Sequence, residues 1–106
     1  MDILKMMGKA RELQSKMGEM QEELKSVEAT GESGAGSVTV RLNGQMALIG
    51  VTIEPSLLKP EDSEIVEDLI IAAAADARTK VEALVQEKTQ SVMGDMGLPP
   101  GFKLPF

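Results

Sequence analysis

The sequence lacks cysteine, histidine, tryptophan and tyrosine altogether, and it has two phenylalanines in 106 residues. Without cysteine there is no disulfide and no thiolate chemistry. Without histidine the commonest general base and the commonest metal ligand are gone, along with every Cys/His nucleophile pair. An enzyme would have to work with carboxylates, hydroxyls and lysines alone, and these are not arranged for it. The expectation is a protein that is not an enzyme, with no catalytic residues, no metal, no cofactor and no small-molecule substrate. Long apolar runs are missing too. The longest, Leu69 to Ala75, is far short of the roughly 20 residues that cross a bilayer. The start, Met1-Asp2-Ile3-Leu4-Lys5, has no basic segment followed by a long apolar stretch, so no secretory signal is read there. A cytoplasmic protein with no membrane partner is expected.

What is present fits one domain, residues 1–106, with a tail at 98–106. A chain this short buries only roughly two-thirds of its unfolded surface. Its core must be aliphatic, drawn from Leu, Ile, Val, Ala and eight methionines. The net charge is −6 and the isoelectric point about 4.6, which by itself argues against a nucleic-acid binder. The distribution matters more. Between Met1 and Gly18, Lys5, Lys9, Arg11 and Lys16 outnumber Asp2 and Glu12, whereas from Glu61 onward nine acids face four bases. The positive pole lies at the start of the chain.

The first segment carries a heptad pattern. Ile3, Ala10, Met17 and Leu24 fall at a, and Met6, Leu13, Met20 and Val27 at d. This predicts a helix from about Ile3 to about Lys25, roughly 35 Å long, with a narrow apolar seam. The seam can pack on a second helix of the same chain or on another subunit, and the spacing favours neither. A first strand is expected within Ser26 to Glu32, with Val27 and Ala29 on one face, followed by a turn at Gly31, Gly34 and Gly36. Ser37 to Leu42 alternates cleanly as a second strand. Asn43-Gly44 predicts a two-residue type I′ hairpin turn, pairing Leu42 with Gln45, Val40 with Ala47 and Val38 with Ile49. One face would then bury Val38, Val40, Leu42, Ala47, Ile49, Val51 and Ile53. Met46 and Leu48 would stand on the outer face, apolar where solvent is expected, as candidates for a dimer interface.

Pro55 closes the third strand, and Pro60 suits the first turn of a second helix. That helix is predicted to reach about Met93, with Ile65, Val66, Leu69, Ile70, Ala73, Ala77, Val81 and Leu84 as its apolar stripe and Gly94 and Gly97 ending it. The small residues Ala72 to Ala75 allow close approach of a neighbour. The tail, with three prolines and both phenylalanines, Phe102 and Phe106, reads as an extended segment docked on folded protein. The class is α+β: long helix, three-stranded antiparallel sheet, long helix, extended tail.

Gly31-Glu32-Ser33-Gly34-Ala35-Gly36 lacks the Gly-Lys-Ser/Thr of a phosphate-binding loop and opens no helix, so it reads as turn chemistry. The acids Glu61, Asp62, Glu64, Glu67 and Asp68 lack the alternate spacing of a calcium loop and suit the positive end of a helix dipole. Lys5, Lys9 and Lys16 lie within about 40° of one another on a helix, while Arg11 points elsewhere. Glu12 sits in that stripe and is expected to pair with Lys16. Unaided, this reads as a solvated face that turns acidic at Glu19 and Glu23. Single-strand and RNA binders usually stack bases on aromatic side chains, and residues before the tail have none. A nucleic-acid partner would therefore be duplex DNA, met through its phosphates and shape.

The order of helix, small sheet and helix, together with Thr30 to Gly36, Glu54-Pro55-Ser56-Leu57-Leu58 and the last nine residues, Leu98 to Phe106, resembles the YbaB/EbfC family of bacterial nucleoid-associated proteins. The likeness covers nearly the whole chain. It implies a tweezer-like homodimer that binds duplex DNA with little or modest sequence preference, located on the nucleoid and acting on nucleoid organisation and on transcription. It also makes phosphate contact the better reading of the basic cluster, with Lys5, Lys9, Arg11 and Lys16 taken from the charge map. The rival expectation is an acidic, coiled-coil-like dimeric adaptor that docks on a DNA replication or recombination protein.

Overall fold

The computed structural model describes residues 2–95; the expectations for the tail at 98–106, with Phe102 and Phe106, lie outside them. Helix α1 spans Ile3–Leu24. It starts at Asp2, whose side-chain Oδ1 accepts the Leu4 amide at 3.0 Å, satisfying one of the amides a helix start leaves unpaired. Strands β1 (Glu28–Ser33), β2 (Val38–Asn43) and β3 (Leu48–Ile53) form one antiparallel sheet in the order β1-β2-β3. Short 3-10 turns at Pro55–Leu57 and Pro60–Asp62 lead into helix α2, Ser63–Asp95. The architecture is the α+β arrangement the pattern implies. Helix α2 runs through Gly94, which does not adopt the positive φ of a helix-ending glycine.

Helix α2 lies across β1 and β2. Val38, Val40 and Leu42, alternating along β2, meet Ala73, Ala77 and Val81 from α2 in an aliphatic core, with Ala29 of β1 beside them. The two layers approach unusually closely. Gly31 is buried, and a Cβ there would fall inside contact distance of Ala77 N and Ala73 O and 2.7 Å from Ala77 Cα. The small residues expected to permit such an approach do so, against a strand position that also has no side chain.

The turn between β2 and β3 differs from the expected two-residue type. Neither Asn43 nor Gly44 takes the positive φ a type I′ turn needs; Met46 does, at 64°. The loop is Gly44-Gln45-Met46, closed by the Asn43 amide donating to Ala47 O at 3.0 Å and the Met46 amide donating to Asn43 O at 3.0 Å. Asn43 Oδ1 accepts from the amides of Gln45 at 2.9 Å and Ala47 at 3.0 Å. Gly44 is engaged elsewhere: its amide donates to Leu24 O at 2.8 Å and to Val27 O at 2.9 Å, which ties the turn to the last residue of α1 and to the link that follows it. The register shifts accordingly. Val38 faces Ile53, Val40 faces Val51 and Leu42 faces Leu48, with an irregularity after Arg41 that leaves Ile49 as an extra residue.

Two corrections follow from that register. Leu48, opposite Leu42, stands on the helix-facing side of the sheet, not the outer side, and Met46 sits in the turn. Helix α2 covers β1 and β2 but stops short of β3, so Ala47, Ile49 and Val51 are exposed where burial is expected.

The sheet's two edges are treated differently. Along β1, the Glu32 amide donates to Asp76 Oδ2 at 3.0 Å, and Lys80 Nζ donates to Thr30 O at 3.1 Å. Lys80 also pairs with Asp76 at 3.0 Å. The Glu32 amide and then the Lys80 ammonium hold the Asp76 carboxyl below its ordinary pKa. One turn of α2 thereby answers the polar groups that an edge strand leaves open. The far edge, β3, has no comparable cover among the described residues.

Candidate nucleic-acid interface

Helix α1 is joined to the body only at its carboxyl-terminal half. Met17, Met20 and Leu24 are buried, with Val85 and Val92 of α2 and half-buried Leu13 packed on them. Gln45 Nε2 donates to Gln21 O at 3.1 Å, and Lys88 pairs with Glu23 at 3.4 Å. All of residues 2–10 are exposed. The Cα radius of gyration is 19.2 Å, against about 13 Å for a compact domain of this length. The amino-terminal half of α1 is an arm.

The arm holds most of the unneutralised positive charge. Lys25 pairs with Glu22, Arg41 with Glu28, Arg78 with Glu82, Lys80 with Asp76 and Lys88 with Glu23. Among the described residues Lys5, Lys9, Arg11 and Lys16, and in the body Lys59, take part in no ion pair. Lys5, Lys9 and Arg11 are exposed. Lys16 differs: it is half-buried in the crevice between the helices, beside Glu19, Glu23 and Lys88. The expected Glu12–Lys16 pair is not formed, because Lys16 lies in that crevice rather than along the free stripe. Three of the four cations thus share the arm's surface, and the fourth sits at its root.

Met46 and Leu48 belong to a different surface. Leu48 is 62% exposed and Val51 43%, both on the side of the sheet that α2 covers elsewhere. The adjacent flank of α2 presents Ala74, Ala75 and Arg78 toward Leu42 and Met46, with Ile71, 68% exposed, one turn away. Sequence reasoning missed Val51 and Ile71 here. The signal was present in Leu48-Ile49, an adjacent apolar pair that the alternating faces of a strand cannot both bury on one side, and in Ile71, which extends the run Leu69-Ile70 beyond the stripe packed on the core.

Fold and charge together define a small α+β protein whose free cations are concentrated on a projecting helix. Residues 1–96 match the model of the YbaB/EbfC DNA-binding family, and the chain belongs to that family. It is 55% identical over 101 residues to a nucleoid-associated protein of Bradyrhizobium sp., covering 95% of each chain. It is 52% identical over 105 residues to one of Brucella anthropi, covering 99% of this chain and 98% of the other. The crystal structure of an uncharacterized protein from Helicobacter pylori has the same fold, with a TM-score of 0.77 and 27% identity over 88% of this chain and 98% of that one.

Proposed function

We propose that this protein is a nucleoid-associated homodimer that grips duplex DNA through the phosphates, using the amino-terminal arms of its two α1 helices. The observation that carries the reading is the distribution of unpaired cations. Most bases of the body are spent on neighbouring carboxylates, while Lys5, Lys9 and Arg11 stand exposed and unpaired. Phosphate contacts carry no sequence information directly, so sequence preference is little or modest. The acidic body repels DNA, which confines contact to the arms and keeps affinity moderate. Effects on nucleoid organisation and on transcription follow from occupying and bridging DNA.

Dimerisation fits the uncovered side of β3. Leu48 and Val51, with Met46 at the turn and Ile71 on α2, form one apolar flank beside an open strand edge. A second copy pairing there would cover both the face and the edge. The deciding experiment is a mobility-shift titration of the purified protein on unrelated duplexes at two salt concentrations. Affinity that falls steeply with salt and varies little with sequence supports the reading. A salt-independent complex, or no complex at low salt, sinks it.

A further inference from the structure

Arg11 lies on a different face of the arm from Lys5 and Lys9. On a helix it falls within about 60° of Leu4 and Met7, which makes the three one stripe along the first turns of α1. Leu4 is 79% exposed and Met7 51%. Arg11 is exposed and, among the described residues, in no ion pair. Gly8 stands beside the stripe, and a Cβ there would meet nothing within 4 Å. Another surface can approach the arm closely on this side.

A complementary surface lies at the far end of the molecule. Leu57, Leu58, Pro60 and Val66 line an open cleft of about 450 Å³ where the two 3-10 turns meet the start of α2. Leu58 is 62% exposed. Glu67 lines the same cleft; Glu64, one turn before it, and Glu61 are exposed. Among the described residues none of these three acids takes part in an ion pair, and Lys59 is the one base on the lining. Acids near a helix start are ordinary; apolar surface left open among them is not. An arm cannot reach the cleft of its own chain. Helices α1 and α2 run antiparallel, with Glu23 against Lys88 and Lys16 beside Ser91 and Val92. From that junction Leu4 lies roughly 30 Å one way and Val66 roughly 30 Å the other, in a molecule of 68 × 22 × 18 Å.

We propose that the stripe of Leu4, Met7 and Arg11 on one copy seats in the Leu58 cleft of a second copy. Leu4 and Met7 would cover Leu57, Leu58 and Val66, and the Arg11 guanidinium would meet the Glu67 carboxylate. Complementarity fixes the occupant: an apolar stripe ending in a free cation meets an apolar cleft edged by free acids. Because two different surfaces meet, the contact does not close on itself, and copies join head to tail in rows. The patch is small, so the association is weak and belongs to concentrated solution. Lys5 and Lys9 lie about 120° or more around the helix from Arg11 and stay free. A row could therefore lie along a duplex, a consequence that rests on the DNA-binding reading; the contact itself needs no DNA.

Sedimentation velocity of the full chain, without DNA, tests the contact. At low salt the weight-average sedimentation coefficient should climb with protein concentration, and high salt, which screens the ion pair, should flatten the climb. Arg11→Glu and Glu67→Arg should each abolish it. Arg11→Glu/Glu67→Arg, which has the net charge of the parent, should restore it. Leu4→Ser and Leu58→Ser should each abolish it with no change of charge, and the circular dichroism spectrum should stay that of the parent, because both side chains are exposed. A coefficient for the parent that stays flat at low salt overturns the proposal. So do single variants that climb like the parent, and so does a double variant that stays flat. None of these readings involves DNA, so the assignment of Lys5 and Lys9 to phosphate stands or falls separately.

Discussion

Gly31 of β1 rests directly on the backbone of Ala77 in α2, with no room for a side chain between them. Ala73 and Ala77 present only methyl groups on this face, and the strand contributes nothing, so sheet and helix meet almost backbone to backbone. Gly31→Ala forces the layers apart and should destabilise the protein by about 1–3 kcal/mol. Gly18 is the opposite case. It lies inside α1, and a Cβ there meets nothing within 4 Å. Gly18→Ala should stabilise by roughly 0.5–1 kcal/mol. Thermal unfolding followed by circular dichroism should move the two melting temperatures in opposite directions.

Asp76 makes the latch on β1 sensitive to acid. Its carboxyl accepts from the Glu32 amide and pairs with Lys80, so its folded pKa lies below the unfolded one. A carboxylate depressed in this way stabilises fully above its unfolded pKa and loses that stabilisation as pH falls through the folded one. Asp76→Asn should therefore lower the urea midpoint at pH 7, and the gap from the parent should narrow below about pH 4. A gap as wide at pH 3 as at pH 7 would show that the charge does not matter.

Gly44 ties α1 to the sheet. Its amide answers Leu24 O and Val27 O, and a Cβ there would lie 2.6 Å from Leu24 O and 2.8 Å from Leu24 Cβ. Gly44→Ala should loosen the root of the arm before it disturbs the sheet. Hydrogen exchange should accelerate at Met17 to Leu24 and change little at Val38 and Val40.

Gly44, Asp76 and Lys80 mark how far the sequence could be read. Element order, the alternation of β2 and the buried positions Ala73, Ala77 and Val81 on α2 follow from periodicity and turn residues. Gly44 misled because its dipeptide advertises a hairpin turn, whereas a long-range bond to α1 competes for its amide. The register of β3 moved with it, and Leu48 changed faces. Asp76 and Lys80 gave no local signal, since their partners in β1 lie 44 and 50 residues away. The cations of the arm were legible as charge, but their freedom was not. It became visible only once the ion pairs claiming Arg78, Lys80 and Lys88 were in place.

Dimerisation through β3 can be tested at its two most diagnostic positions. Leu48 and Val51 face the same side as the core yet stand exposed, so charges there cost the monomer little. Leu48→Asp/Val51→Lys should leave the circular dichroism spectrum intact and halve the mass seen in sedimentation. Met46, in the turn at positive φ, should tolerate Gly and lose some dimer affinity with Asp. If the double variant sediments like the parent, the subunits meet elsewhere or not at all.

The arm cations give the sharpest test of DNA binding, and the structure changes which of them to alter. Reversing Lys16 would set a third acid beside Glu19 and Glu23 at the root of the arm, so any lost binding could reflect a displaced helix. Lys5, Lys9 and Arg11 are exposed and unpaired, and none lies on the seam with Met17 and Met20. In a dimer they supply six cations, which corresponds to a log–log salt slope of about −5 if all contact phosphate. Lys5→Glu/Lys9→Glu/Arg11→Glu should abolish duplex binding at moderate salt with the melting temperature unchanged. Lys5→Gln alone should flatten the slope by about 2, one contact per subunit. Glu19→Lys, which extends the basic stripe toward the body, should tighten binding and steepen the slope. Arg78→Gln serves as the control, because its charge is already taken up by Glu82 at 3.0 Å. Should Arg78→Gln weaken binding as much as Lys5→Gln, the contact lies on α2 and the arm is not the DNA-binding element.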